Sequence, residues 1–399
     1  MLQERNGTYF VILNYKEGSK WKKKWISTGT GRFRDAKVIE KKIMSDAAAG
    51  ILPVRSKAST PTLREFLFRW LDVCIKPPSR KPATYESYLR VSNTVSDFMG
   101  DIKIDRLDSS DIDAYIKARL KAGISHATIR IEFRTLRSAL NTARRWKLLV
   151  INPCTDATQP AAEKNRVRVA DVADVQKLLA AAAAENNPMM YVVITLGALC
   201  GLRRGEICGL EWKDVDFDRG LLYIRHSLSR RENSTIEDGA YYRIFPGAKS
   251  SLVLDHTKTV DSESDIFIPP IAVDALRRMR AWQNKNRLAL GPCFKDSGLV
   301  TSHEDGRPAE PNWIYTSFIK FLDKLGLPRM RVHDLRHTAA TILLMQGVDI
   351  KLVSRQLRHS DITITQNTYQ HVTEELAKKS AAAMDELFPA NGTLEKRRI

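Results

Sequence analysis

Cysteine is scarce in this 399-residue chain and falls into no pattern that chemistry could use. Cys74, Cys154, Cys200, Cys208 and Cys293 are odd in number and lack C-x-x-C spacing, so neither a disulfide framework nor a zinc site is expected. There is no Walker loop and no cluster with metal-ligand spacing, so no cofactor is expected. Long hydrophobic runs are missing too. The most apolar stretch, "YVVITLGALCGL" at 191–202, is too short for a bilayer and ends in arginines, which suits a core helix. The opening "MLQERNG" has no apolar signal region, so a cytoplasmic chain with reduced, buried thiols is expected. Acidic residues are outnumbered: 46 Asp and Glu face 64 Lys and Arg, a formal net charge of +18. That excess implies an anionic partner, nucleic acid before an acidic membrane surface. With 43% hydrophobic residues and no low-complexity tract, the composition is globular and has apolar mass for more than one core.

Residues 1–57 carry 13 Lys and Arg against 5 Asp and Glu. "TYFVILNY" and "KWISTGT" read as strands joined by "KEGSKWKKK", and "FRDAKVIEKKIMSDAAAG" as a helix closed by Gly50. The expected module is an N-terminal three-stranded sheet plus helix. A solvated charge run is the plain reading. Trp21 and Trp25 interleave with lysines, however, which suits a hairpin entering a DNA groove. "LPVRSKASTPT" (52–62) reads as a linker.

Four helical patterns follow, with Thr62, Thr84, Ser109 and Ser125 as N-caps and Gly100 and Gly123 as stops. They predict a four-helix domain over 58–160. Its last helix sets the stripe Ile129, Phe133, Leu136, Leu140 beside Arg130, Arg134 and Arg137, a face open to solvent or to phosphate. Residues 151–171 read as a second linker. From 161 to 399 the pattern predicts a mixed, mainly helical domain with one small antiparallel sheet. "MMYVVITLGALCGLRRGEICGLEW" reads as one helix, and "GLLYIRHSLSR", "SLVLDHTK" and "SDIFIPP" as strands. The fold class is therefore multidomain, mainly α with small β-sheets.

Four islands could carry chemistry. In "CGLRRGEICGL", Arg203 and Glu206 share a helix face, so the carboxylate can hold the guanidinium while Arg204 points elsewhere. In "DHTKTVDSESDIFIPP", Lys258 sits at the tip of a hairpin. In "RVHDLRHT", His333 and Arg336 share a face at a helix start, and His337 packs locally. The fourth island, "LRHSDITITQNTYQHV", holds His359 and Tyr369, with a short helix capped near Ser360 preferred to a strand through "ITIT". Two guanidiniums suit the oxygens of a phosphate, because each presents a bidentate fork.

Arg203, Lys258, His333, Arg336, His359 and Tyr369, in that order, resemble the tyrosine recombinase (phage integrase) family over residues from about 165 to 388. The upstream modules look like the arm-type and core-type DNA-binding domains of integrases from temperate phages and integrative/conjugative elements. The resemblance implies arm-type binding by 1–57, core-type binding by 58–160 and catalysis by 161–399. It implies double-stranded DNA attachment sites as substrate and a 3′-phosphotyrosyl intermediate formed by Tyr369. Lys258 would be the general acid, with neither metal nor ATP required. It also implies a homotetramer in synapsis joined by the helix "TEELAKKSAAAMDELF", an excision factor and a DNA-bending host protein.

Two departures stand out. Arg358 replaces a glycine before the histidine, which alters the turn or adds a DNA contact. An insertion, "RRENSTIEDGAYYRIFPGAKS", lengthens the interval to Lys258 and makes Lys249 its rival. Two other functions use some of the same features: a type IB topoisomerase, and a non-catalytic basic DNA-binding regulator.

Overall fold

The computed structural model describes residues 2–17, 20–48, 60–77, 79–160, 170–236, 241–256, 264–359, 361–366, 368–369, 381–382 and 384. The chain divides into two units, 1–165 and 166–399.

The first unit opens with β1 (Leu2–Arg5), β2 (Thr8–Glu17) and β3 (Lys20–Ser27), antiparallel in the order β1-β2-β3, followed by α1 (Phe33–Ala48). This is the expected module, with one difference. "KWKKK" lies within β3, because the ladder with β2 runs from the pair Phe10–Ser27 to the pair Glu17–Lys20. Period-two alternation turns the paired Val11 and Ile26 toward Ile43 of α1. Trp25 stays 44% exposed.

The helices α2 (Leu63–Trp70), α3 (Pro82–Met99), α4 (Ser109–Lys121) and α5 (His126–Arg145) follow, and α2 runs on into a π turn at Leu71–Ile75. Thr62 and Ser125 cap as expected, and Thr62 and Glu65 form a reciprocal capping box. Thr84 and Ser109 do not cap. Helix α3 starts two residues before Thr84, at Pro82, whose fixed φ and missing N–H suit a first turn. The carboxylate of Asp108 caps α4, where a full negative charge gains from the helix dipole. The stripe Ile129, Phe133, Leu136 and Leu140 is buried. The neighbouring Glu132 is buried too, accepting from Tyr115 Oη (2.8 Å) and from Arg119 Nε (3.0 Å) and Nη2 (2.6 Å), which ties α4 to α5. Residues 151–160, expected to begin a linker, pack instead: Cys154 is buried and Asn152 Nδ2 donates to Arg137 O (3.0 Å). Residues 52–59 and 161–169 of the two expected linkers, with Gly50, lie outside the described residues.

The second unit contains α6 (Val172–Ala183), α7 (Met189–Ala198), α8 (Arg204–Gly209), β4 (Val215–Asp216), β5 (Leu221–Ile224), β6 (His226–Glu232), β7 (Arg243–Phe245), β8 (Ser250–His256) and β9 (Ser264–Phe267). After these come α9 (Pro270–Leu290), α10 (Pro311–Lys324), α11 (Val332–Met345) and α12 (Ile350–Gln356). Every residue of α7 is buried, and α6, α9 and α11 pack around it. Each of its fully buried Val, Ile and Leu side chains contributes about 1.5–3 kcal/mol. Among the described residues no helix is long and apolar enough to cross a membrane.

Two expectations are corrected. The single helix expected over 189–212 breaks at 199–203, where Gly201 takes φ +68°. A Cβ at 201 would fall 2.8 Å from Leu357 Cδ2, so both the bend and the close approach require glycine. The strands form two sheets, β4-β5-β9 and β6-β8-β7, rather than one. The insertion supplies β7 and gives β6 and β8 a ladder of their own.

Candidate active site

The break after α7 places Arg203 at the N-cap of α8, and Glu206 closes a capping box beneath it. Arg203 N donates to Glu206 Oε2 (2.8 Å) and Nη1 to Oε1 (2.7 Å). The other arm of the fork, Nη2, donates to the carbonyl of Arg358 (3.0 Å). Arg336, in the first turns of α11, is 2% exposed and donates to the carbonyls of Gly201 (Nη1, 2.7 Å) and Leu357 (Nη2). The two guanidiniums are thus fastened to adjacent carbonyls of one bend. Helix α11 repeats the device of α8: Arg331 caps it, boxed with the buried Asp334. A hollow of about 540 Å³ is lined by Arg203, Arg204, Tyr315, Arg331 and His333 among others. Arg204, expected to point away, therefore borders the same hollow as Arg203.

The bend itself departs from expectation. Arg358 holds φ +55°, a left-handed conformation costing a non-glycine residue roughly 1–2 kcal/mol. The turn thus keeps a glycine-like path. The side chain makes no outward contact: it is fully buried, and its Nη2 donates to Glu206 Oε2 (2.6 Å). Burial pushes the Glu206 carboxyl up, but Arg358 and Arg203 together outweigh it and hold the group below the usual range. Burial, reinforced by the charge of Arg203, pushes Arg336 down to about 9, so it stays cationic at neutral pH.

Residues 362–366 and 368–369 are helical, which rejects a strand through "ITIT"; Asp361 Oδ1 accepts from Thr363 N, whereas Ser360 lies outside the described residues. Tyr369 is 2% exposed and packs on Ala340, Leu344, Val353 and Leu357. Burial pushes its hydroxyl up to about 12, tempered by Arg336. Its oxygen lies 2.8 Å from Nδ1 of His337. His337 is expected from the sequence only to pack locally, and the structure instead sets its ring nitrogen against the Tyr369 hydroxyl. Burial lowers the His337 pKa, so the ring is neutral at pH 7. In the tautomer protonated at Nε2, Nδ1 of His337 accepts a hydrogen bond from the phenol.

Desolvation, with His337 and Arg336 nearby, pushes His333 down to about 4. Desolvation, with Arg336 and Arg203, does the same to His359. His359 Nδ1 lies 2.8 Å from Thr365 Oγ1; with Thr365 as donor, Nε2 carries the ring proton. Both rings are neutral at pH 7 rather than cationic. An unfolded histidine titrates near 6.5. Between about pH 6.5 and 4 the unfolded chain therefore binds more protons than the folded one, and folding stability falls as pH falls. The melting temperature of the full chain is expected to be level between about pH 7 and 8 and to decline below about 6.5. A melting temperature that does not move between pH 7 and 5 contradicts this assignment.

Lys258 lies outside the described residues. The flanking strands β8 and β9 pair in different sheets, so they do not form the simple hairpin expected. Its rival Lys249 sits in the turn between β7 and β8, at the other end of β8 from His256. One group among the described residues, Glu211, Asp214 and His226, has donor atoms within 4.8 Å of one another. Its carboxylates are already paired with Lys213, Arg243 and Arg225, so the charge there favours an ion-pair cluster over a divalent cation.

A sequence model described as "Phage integrase family" matches residues 168–375, and one described as "Phage integrase SAM-like domain" matches residues 67–159. The chain is similar to a tyrosine recombinase XerC-like protein of Caldanaerobacter subterraneus subsp. tengcongensis: 28% identical over 339 residues, 82% of this chain and 83% of the other. Its fold is similar to that of the Tn1549 transposon integrase in complex with transposon right end DNA, with TM-score 0.66 and 22% identity over 82% of this chain and 100% of that one. It is also similar to a lambda integrase tetramer bound to a Holliday junction, with TM-score 0.55 and 16% identity over 92% and 94% of the two chains.

Proposed function

The chain belongs to the phage integrase family, and from that premise we propose how its own residues divide the work of a tyrosine-type, site-specific DNA recombinase. Arg203 and Arg336 bind the scissile phosphate and stabilise the charge that grows on its oxygens during in-line displacement. His333 and His359, neutral at pH 7, donate hydrogen bonds to the non-bridging oxygens. The Tyr369 oxygen gives up its proton to His337 Nδ1, 2.8 Å away, as it attacks phosphorus, forming a 3′-phosphotyrosyl bond and expelling the 5′-oxygen, which takes a proton from Lys258. The 5′-hydroxyl of a partner strand then attacks the same phosphorus. That step restores the phosphodiester and returns the tyrosine, so the bond energy is retained throughout.

The observation that carries this reading is the anchorage of two guanidiniums on adjacent carbonyls of the bend that leads into Tyr369. The domain roles follow: 1–57 binds arm-type DNA, 58–160 core-type DNA, and 161–399 performs the chemistry. The match of the SAM-like model to 67–159 supports the second of these. The substrate is a pair of double-stranded attachment sites at which a mobile element is integrated or excised. The likeness to a lambda integrase tetramer supports a homotetramer in synapsis. An excision factor and a DNA-bending host protein complete the expected set of partners.

The test is strand exchange between two duplexes carrying the direct repeats that flank the element. Exchange with a covalent protein–DNA intermediate is expected. Relaxation of a supercoiled plasmid without exchange between paired sites overturns the reading.

A further inference from the structure

Arg358 has no part in the chemistry above, yet its side chain is fully buried and the main chain bends left-handed to place it there. Its Nη2 donates to Glu206 Oε2 (2.6 Å) and to the Gly201 carbonyl (3.4 Å), and its Nη1 to the Gln356 carbonyl (2.9 Å). With no solvent-exposed surface, this guanidinium cannot reach DNA. We propose that Arg358 is a positioning residue that neutralises Glu206 from behind, so that Arg203 presents an uncompensated positive charge to the scissile phosphate. The inference rests on the recombinase reading of Arg203 and Arg336.

The argument is one of charge and location. Glu206 is buried and ionised, and it splits its oxygens: Oε1 accepts from Arg203 Nη1 and Oε2 from Arg358 Nη2. With Arg203 alone, the two would form a closed neutral pair whose field at a phosphate is weak. Two guanidiniums on one carboxylate leave one net positive charge. That charge is expressed at Arg203, whose side chain is 36% exposed, because the Arg358 side chain is sealed at 0%. Arg203 is also held by the carbonyl of residue 358 itself, so one residue both aims Arg203 and balances its partner.

The experiment compares adduct formation in single turnover on a nicked suicide duplex. The scissile position carries either an ordinary phosphodiester or a neutral methylphosphonate. Arg358→Gly suits φ +55°, and Arg358→Met retains most of the buried volume without the charge. Both variants are expected to slow attachment about 10- to 100-fold on the phosphodiester and less than about threefold on the methylphosphonate, with DNA affinity within about twofold of wild type. Arg358→Lys is expected to recover part of the loss. Equal losses on both substrates, or wild-type rates from the methionine variant, overturn the proposal. Wild-type protein that attaches to neither duplex overturns the recombinase reading with it.

Discussion

Tyr369→Phe protein is expected to bind its DNA as wild type does and to form no covalent adduct, a loss of at least about 10⁴-fold in attachment rate. Only an oxygen can bond to phosphorus here, and phenylalanine removes that atom alone. The ring stays 2% exposed against Ala340, Leu344, Val353 and Leu357, so every apolar contact survives. The other loss is the hydrogen bond to His337, about 0.5–1.5 kcal/mol, too little to unfold the unit. Denaturing gels of a nicked suicide duplex read the result directly. Adduct formed by the phenylalanine protein would move the nucleophile to another of the eleven tyrosines.

Arg336→Lys is expected to slow attachment by about 10²–10³-fold although the positive charge is kept. Arg336 spends both terminal nitrogens on the carbonyls of Gly201 and Leu357, and it is this double hold that aims the group. An ammonium is a point donor on a flexible stem and cannot hold both carbonyls in one plane. If the Leu357 carbonyl is the one given up, a buried acceptor loses its partner at a cost of about 1–3 kcal/mol, and urea denaturation should register the same change. A lysine variant with wild-type attachment rates would place phosphate binding elsewhere.

The parts of the candidate site that are legible in the sequence are those whose members stand at fixed, short spacings. Arg203 and Glu206 three apart, and His333 and Arg336 three apart, sit on single helical turns, so local geometry decides what they can share. His337 was misread. It stands one turn on from His333, and the two rings meet edge-on with centroids 5.0 Å apart. That i+4 spacing was the available signal, but its contact with Tyr369 depends on how residues 361–369 fold back, which no local pattern carries. Arg358 stands out in the sequence as a departure, yet the direction of its side chain is not legible there. Its partner Glu206 is 152 residues away in the chain, and a left-handed φ at an arginine follows from packing alone. The same limit explains the sheets. Alternation marks β6, β8 and β9 as strands but does not say which of them pair. Helix starts failed only where a better local device stood nearby, Pro82 ahead of Thr84 and Asp108 ahead of Ser109.

Arg203 and Arg336 are moored to the peptide oxygens of residues 201, 357 and 358, and every amino acid brings such an oxygen. The side chain at 358 can therefore change without casting off either arginine, provided the main chain keeps its course. An arginine can stand in this bend at φ +55° for that reason, because the mooring uses main-chain oxygens alone.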